Sequence, residues 1–531
     1  MLTMRLLLSA VLLPLLPTTA AAQRRTVDPR GRGISLVVVI AVDQLRPDYL
    51  RTFDRQFTGG FRRLIDRAVL YERGQQYHAI TETAPGHAAM LSGRSPSSTG
   101  IVNNEHGVED AAAPFLGNPQ ALGASPRYFR GTALYDWMLT RDPEVRQLAV
   151  SRKDRGAILM TGGARGQVYW FHDGRFSTSR YYTDALPPWV EAFNARRSAE
   201  RLAGTTWDLL LPPAAYGERD ALPFEHGGRD VAFPHRLPAT AEETARLFSY
   251  YPWMDSLTAE FALEGVRQLE LGRRARPDLL TVSFSTTDAV GHDYGPDSRE
   301  LHDHLLRLDR WLGGFLDSLA VLVPAERTVV ALTSDHGVQP MPEWSRANGR
   351  PARRIWLGDL AAGAGTALAR RYRRDFGLVF DSGLLFADRL ALQARGISVD
   401  SLASTLAAAA RGRPGIRRVF TPESLRAAPV ADREATLWKN QLPSDLGWLL
   451  CAAIEPGFVW SPPGRTIAEH GSTAELDVLV PIAFMGPGLR PARIRRPVRT
   501  VDIGPTLAAL LGIRPTQPVE GQVLPEVAGR R

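Results

Sequence analysis

ISLVVVIAVDQL, residues 34–45, is an aliphatic, largely β-branched run that stops at an acid. A strand solvated on one face alternates apolar with polar positions. A run without polar positions predicts a strand buried on both faces, as in a parallel sheet covered by helices. LLTVSFSTTD (279–288) and RTVVALTSDHG (327–337) repeat the design, an apolar strand followed by Asp, and DVLVPIAFMG (477–486) is a fourth run. Between them HDHLLRLDRWLGGFLDSLAVL (302–322) is apolar at three- and four-residue spacing, which predicts an amphipathic helix. Strands alternating with helices predict an α/β fold, a doubly wound, mostly parallel sheet flanked by helices. Functional groups in such sheets gather at the carboxyl ends of the strands.

Two stretches interrupt the alternation. Residues 105–240 are rich in Trp, Tyr, Pro and Gly (QVYWFHDGRFSTSRYY, 167–182), and residues 346–455 hold a helical SLASTLAAAARG (401–412) among Arg-rich segments. Both are expected to be insertions capping the strand ends of one domain spanning 23–531. The first 22 residues, MLTMRLLLSAVLLPLLPTTAAA, have a basic start, a short apolar run and a small-residue end. That layout is a secretory signal cleaved between Ala22 and Gln23, too short to span a bilayer, and the expected destination is periplasmic or secreted. No later stretch is long and apolar enough to span. Cys451 is the only cysteine, so no internal disulfide forms. The formal charge of +8 comes from 64 basic residues scattered among 56 acids. Without a long basic run or an RNA-binding signature, no nucleic-acid partner is expected.

The acids and histidines at the strand ends are Asp43, Asp288, His292, Asp335, His336 and His470. Singly, an Asp at a strand end reads as a helix cap and a His as an ordinary core or surface residue. Together, three carboxylates and three imidazoles at one sheet edge suffice for two metals with three ligands each. Nitrogen and oxygen donors without thiolate suit Zn2+ with open positions. In TETAPGHAAMLSG (81–93), Pro85 fits the first turn of a helix and places Thr83 just before it, where backbone N–H groups favour an anion. Thr83 is either a simple N-cap or, beside a metal, a nucleophile; Thr81 is its competitor.

AVDQLRPDYL, TAPGHAAMLSG, TGIVNN, TTDAVGHDYGP, SDHG and EHGS, in this order, resemble the alkaline phosphatase superfamily over about residues 34–510. The resemblance implies two Zn2+ ions. Asp288, His292 and His470 would hold one, and Asp43, Asp335 and His336 the other, which also meets the Thr83 oxygen. It also implies that Asn104 donates to a phosphoryl oxygen.

SRKDRGAI (151–158) contains Lys153, one of only two lysines, in a chain that otherwise writes Arg. Lys153 and Arg155, two apart in an extended segment, are expected to point the same way. A monoester dianion has an oxygen for such donors, where a diester carries its second organic group. The pair resembles the Lys-x-Arg motif of phosphate-irrepressible alkaline phosphatases of the PafA type, relatives of the nucleotide pyrophosphatase/phosphodiesterases. The expectation is a secreted, Zn-dependent alkaline phosphatase hydrolysing small-molecule phosphate monoesters through a phosphothreonine, and a monomer. The alternative is a phosphodiesterase or nucleotide pyrophosphatase with the same metals. A sulfatase is disfavoured because Thr83-Ala84-Pro85-Gly86-His87 lacks the Arg of the sulfatase signature. A non-catalytic metal or phosphate binder would not need the nucleophile.

Overall fold

Strand β1 (Leu36–Val42) lies at the middle of a ten-stranded sheet, and all seven of its residues are buried. The other strands are β2 (Val69–Gln75), β3 (Gln147–Ser151), β4 (Gln167–His172), β5 (Arg175–Ser177), β6 (Asp278–Phe284), β7 (Thr328–Thr333), β12 (Leu479–Met485), β13 (Ala492–Ile494) and β14 (Val498–Arg499). They run in the order β13-β2-β12-β7-β1-β6-β3-β4-β5, with β14 also against β2. This is the architecture of a computed structural model that describes residues 33–118 and 120–529. The expected signal segment, 1–22, lies outside the described residues.

β1 pairs in parallel with β6 and β7, and β6, β3 and β4 continue the parallel run. β12 is antiparallel to both its neighbours, and β5 to β4. An apolar run signals burial but not direction, so the sense of the 479–485 strand could not be read from its sequence. Within β1, Leu36, Val38, Ile40 and Val42 face one core and Val37, Val39 and Ala41 the other. Helices α1 (Thr83–Ser92) and α2 (Asp154–Thr161) pack on the second face. Helix α4 (Arg299–Leu322) packs on the first. The short helix α3 (Thr286–Tyr294) follows β6 directly.

The region expected as a first cap, 105–240, is corrected. It contributes β3, β4, β5 and α2 to the central sheet and its cover. β3 is only five residues long and its neighbours are aromatic and Arg-rich, which masked the strand–helix alternation there. Residues 346–455 carry a separate antiparallel sheet, β8 (Val379–Asp381), β9 (Leu384–Phe386), β11 (Trp448–Ile454) and β10 (Ile416–Phe420), over its own apolar core. Cys451 is buried in β11. Among the described residues, no helix is long and apolar enough to cross a membrane.

Candidate active site

The carboxyl ends of β1, β6, β7 and β3 meet at one point. Asp43 follows β1 directly, and the Asp335–His336 pair follows β7. Asp288 stands a few residues beyond β6, in the first turn of α3, so Asp288 and His292 lie one helical turn apart on one face. Asp43, Asp335 and His336 form one buried cluster of ligand-type atoms, and Asp288, His336 and His470 a second. His292 joins the second, with Nε2 3.2 Å from Asp288 Oδ1 and 3.2 Å from His470 Nε2. His336 is therefore shared: its Nε2 lies 3.4 Å from Asp43 Oδ1, while its ring stacks on His470 at 3.7 Å.

Each imidazole is anchored from behind. Nδ1 of His292 donates to the Ala468 carbonyl (2.6 Å), that of His336 to Gly337 (2.9 Å) and that of His470 to Thr81 (2.8 Å). A carbonyl only accepts, so the proton sits on Nδ1 and Nε2 is turned into the site as a donor atom for a cation. Asp43 Oδ1 and His336 Nε2 are buried without a hydrogen-bond partner. Burial and the neighbouring Asp288 and Asp335 push the Asp43 pKa up. Burial also lowers that of His336, with the His470 charge adding to it, which favours the neutral, ligating form. His470 goes the other way: burial opposes its charge, but Asp288 outweighs it and raises the pKa to about 9. Three buried carboxylates gathered around Lys153 leave Asp43 Oδ1 and the neutral His336 Nε2 open to a cation. Two divalent cations fit this set of N and O donors.

Lys153 is placed differently from the expectation. β3 ends at Ser151 and Lys153 caps α2, so Lys153 and Arg155 are not side by side on an extended segment. The Lys153 ammonium reaches inward, 2.5 Å from Asp43 Oδ2, 2.6 Å from Asp288 Oδ2 and 3.1 Å from Thr83 Oγ1. It bridges the two clusters, and although burial opposes it, Lys153 together with His292 and His470 holds the Asp288 carboxyl well below the usual range. Arg155 instead lines a cavity of about 400 Å3 with Asn104, His292 and His470.

Thr83 is the first residue of α1 rather than the residue before it. Its Oγ1 faces the Lys153 ammonium between the clusters. The Thr81 hydroxyl is already used, donating to the Ser472 carbonyl at 3.0 Å. Asn104 Oδ1 accepts the Ala84 N–H at 3.0 Å, which leaves its NH2 as the donor for a ligand. The backbone of Asn104 is held in turn by Glu82 Oε2 at 2.8 Å.

Three supporting residues carried no signal in the sequence. Gln44, at φ 67°, donates its backbone N–H to Asp335 Oδ1 (3.2 Å) and its side-chain amide to Asp288 Oδ1 (3.0 Å). It ties the carboxyl ends of three strands together through one left-handed residue. His87 lies between the Thr83 carbonyl (2.9 Å), Ser283 Oγ (2.9 Å) and Asp335 Oδ2 (3.2 Å). Gly86 lets α1 pass against the Asp335 backbone, for a Cβ there would stand 2.2 Å from the Asp335 carbonyl oxygen. Gly86→Ala is therefore expected to fold but to lower turnover about 100-fold, because Thr83 and Asp335 move apart by a fraction of an ångström or more. Steady-state kinetics beside a thermal melt check this, and parental turnover would show that the helix accommodates the methyl group.

Comparison with known proteins adds a second line of observation. The sequence profile described as "Type I phosphodiesterase / nucleotide pyrophosphatase" matches residues 37–364. Alkaline phosphatase PhoK of a Sphingomonas species is 30% identical, the alignment covering 93% of this chain and 91% of PhoK. Alkaline phosphatase PafA of Elizabethkingia meningoseptica is 27% identical over 96% of each chain. The crystal structure of wild-type PafA superposes with a TM-score of 0.86 at 26% identity, over 93% of this chain and 99% of that one.

Proposed function

Since the chain belongs to the type I phosphodiesterase / nucleotide pyrophosphatase family, we propose that it is an alkaline phosphatase of the PafA type. On this reading it is a phosphoric monoester hydrolase with Thr83 as nucleophile. The observation that carries the reading is the pair of carboxylate–imidazole clusters bridged by Lys153, whose ammonium also contacts the Thr83 hydroxyl. Asp43, Asp335 and His336 would hold one Zn2+, which Thr83 also meets, and Asp288, His292 and His470 the other. When bound, the two ions supply Lewis acidity to the attacking and departing oxygens. They would also turn this carboxylate-lined site positive, the complement of a phosphate monoester dianion.

The residues divide the remaining work. Thr83 Oγ gives up its proton to solvent and attacks phosphorus, forming a phosphothreonine as the P–O bond to the alcohol breaks. Water then attacks the phosphothreonine from the vacated side, releasing phosphate and restoring the Thr83 hydroxyl. The Thr83 backbone N–H at the helix start and the Asn104 amide would donate to one non-bridging oxygen, and Lys153 and Arg155 would supply charge to another. The signal-like start supports export to the periplasm or beyond, and the chain is read as a monomer. Hydrolysis of phosphate diesters or nucleotide pyrophosphates with the same two metals is the second reading, favoured by the family description alone.

A chelator is expected to abolish phosphate release, and added Zn2+ to restore it. Elemental analysis of the active protein should approach two zinc per chain, and a value near zero in fully active protein would overturn the proposal. Acidification should also inactivate, because the three imidazoles bind a cation only when Nε2 is unprotonated.

A further inference from the structure

The cavity beside Asn104 is lined by five carboxylates and only two guanidiniums. Both guanidiniums have an acid at hand: Arg465 lies 3.2 Å from Glu469, and Arg155 3.5 Å from Asp154. The other four acids, Glu82, Glu105, Glu109 and Asp381, join no ion pair among the described residues. Glu82 and Asp381 come from opposite walls and meet at Ser382, whose hydroxyl lies 2.5 Å from Glu82 Oε1 and 3.2 Å from Asp381 Oδ1. Glu105 and Glu109 are exposed on the segment that follows Asn104. Trp356 and Trp460, from the lobe inserted after β7, complete the lining.

A phosphate dianion placed at Asn104 and Arg155 would leave its alcohol portion in this acidic, tryptophan-walled space. Negative charge on that portion is repelled by the carboxylates of this concave wall that join no ion pair, Glu105 and Glu109 foremost. Positive charge is attracted by the same carboxylates, and a soft cation can also rest against an indole face. The volume, about 400 Å3, holds a small aminoalkyl group.

We propose that this wall selects the leaving group by charge, so that the preferred esters are phosphate monoesters of alcohols bearing an ammonium or quaternary ammonium group. The inference rests on the monoesterase reading and deepens it. Two esters of nearly identical shape test it, choline phosphate and 3,3-dimethylbutyl phosphate, which differ by a charged nitrogen against a neutral carbon. The ratio of their kcat/KM values in the parent is expected to fall roughly tenfold in Glu105→Gln/Glu109→Gln, and to fall in the parent as salt is raised. The difference in leaving-group acidity between the two alcohols is the same in both proteins and cancels in this comparison. A ratio unchanged by the double substitution, with both esters hydrolysed, overturns charge selection and leaves the monoesterase standing. Failure of the zinc-loaded parent to hydrolyse any monoester, aryl phosphates included, overturns both.

Discussion

Thr83→Ala is expected to fold and bind zinc as the parent does while losing phosphate release by roughly three to six powers of ten. The substitution removes the attacking oxygen and little else. Thr83 is 1% exposed, its side-chain hydroxyl has Lys153 as its partner, and the helix it opens is built on backbone contacts. Losing a nucleophile removes a whole covalent route, which is why the loss should exceed that from any single positioning residue. Thr83→Ser keeps the oxygen at the same place and should retain much of the activity. Aryl phosphate hydrolysis, elemental analysis and circular dichroism on the same preparations check this. Comparable turnover in Thr83→Ala and the parent would reassign the nucleophile, with Thr81 next in line despite its bond to Ser472.

The second large effect concerns preference rather than rate alone. The Lys153→Ala/Arg155→Ala double variant should hydrolyse aryl monoesters two to three powers of ten more slowly, roughly the cost of losing charge-assisted contacts made in the transition state. A diester carries an organic group where those contacts would form, so its hydrolysis should change little. The geometry adds a condition: Lys153 also stands between Asp43 and Asp288. Its removal therefore unbalances the clusters, and zinc content must be measured beside the kinetics. Equal loss for both esters at full zinc occupancy would make the pair structural and bring the phosphodiesterase reading forward. The single losses should not add, since both residues serve one phosphoryl group. Lys153→Arg is the sharper control, because a planar fork in place of a compact ammonium should not fit between two carboxylates.

The sequence carried the central sheet and its acids because burial on both faces leaves an unmistakable run of aliphatic residues, as in 36–42 and 328–333. The six acids and histidines were legible for a related reason: each follows a strand or a motif whose turn is local. What escaped was whatever depended on distant partners. Gln44 gains its role only from Asp288 and Asp335, which lie 244 and 291 residues away. Strands β3 to β5 were missed because a five-residue strand carries too little periodicity to outvote its aromatic surroundings. The extended reading of Lys153–Arg155 failed for want of a strand end, which lies at Ser151 and turns the following residues into a helix. The tryptophan wall of the cavity comes from a lobe whose docking no local pattern encodes.

The spread of the site along the chain also sets the order in which it can be made. Leu36 in β1 pairs with Asp278 and Thr328, and His470 is oriented by Thr81, 389 residues earlier. A ribosome must therefore deliver more than half of the 531-residue polypeptide before the first strand has either neighbour. Closing loops of that length is slow, and the early segments wait with apolar edges unpaired. A cation held by these residues would not nucleate this process, because no short fragment carries a complete candidate ligand set. It would instead add stability by mass action to a chain that has already folded.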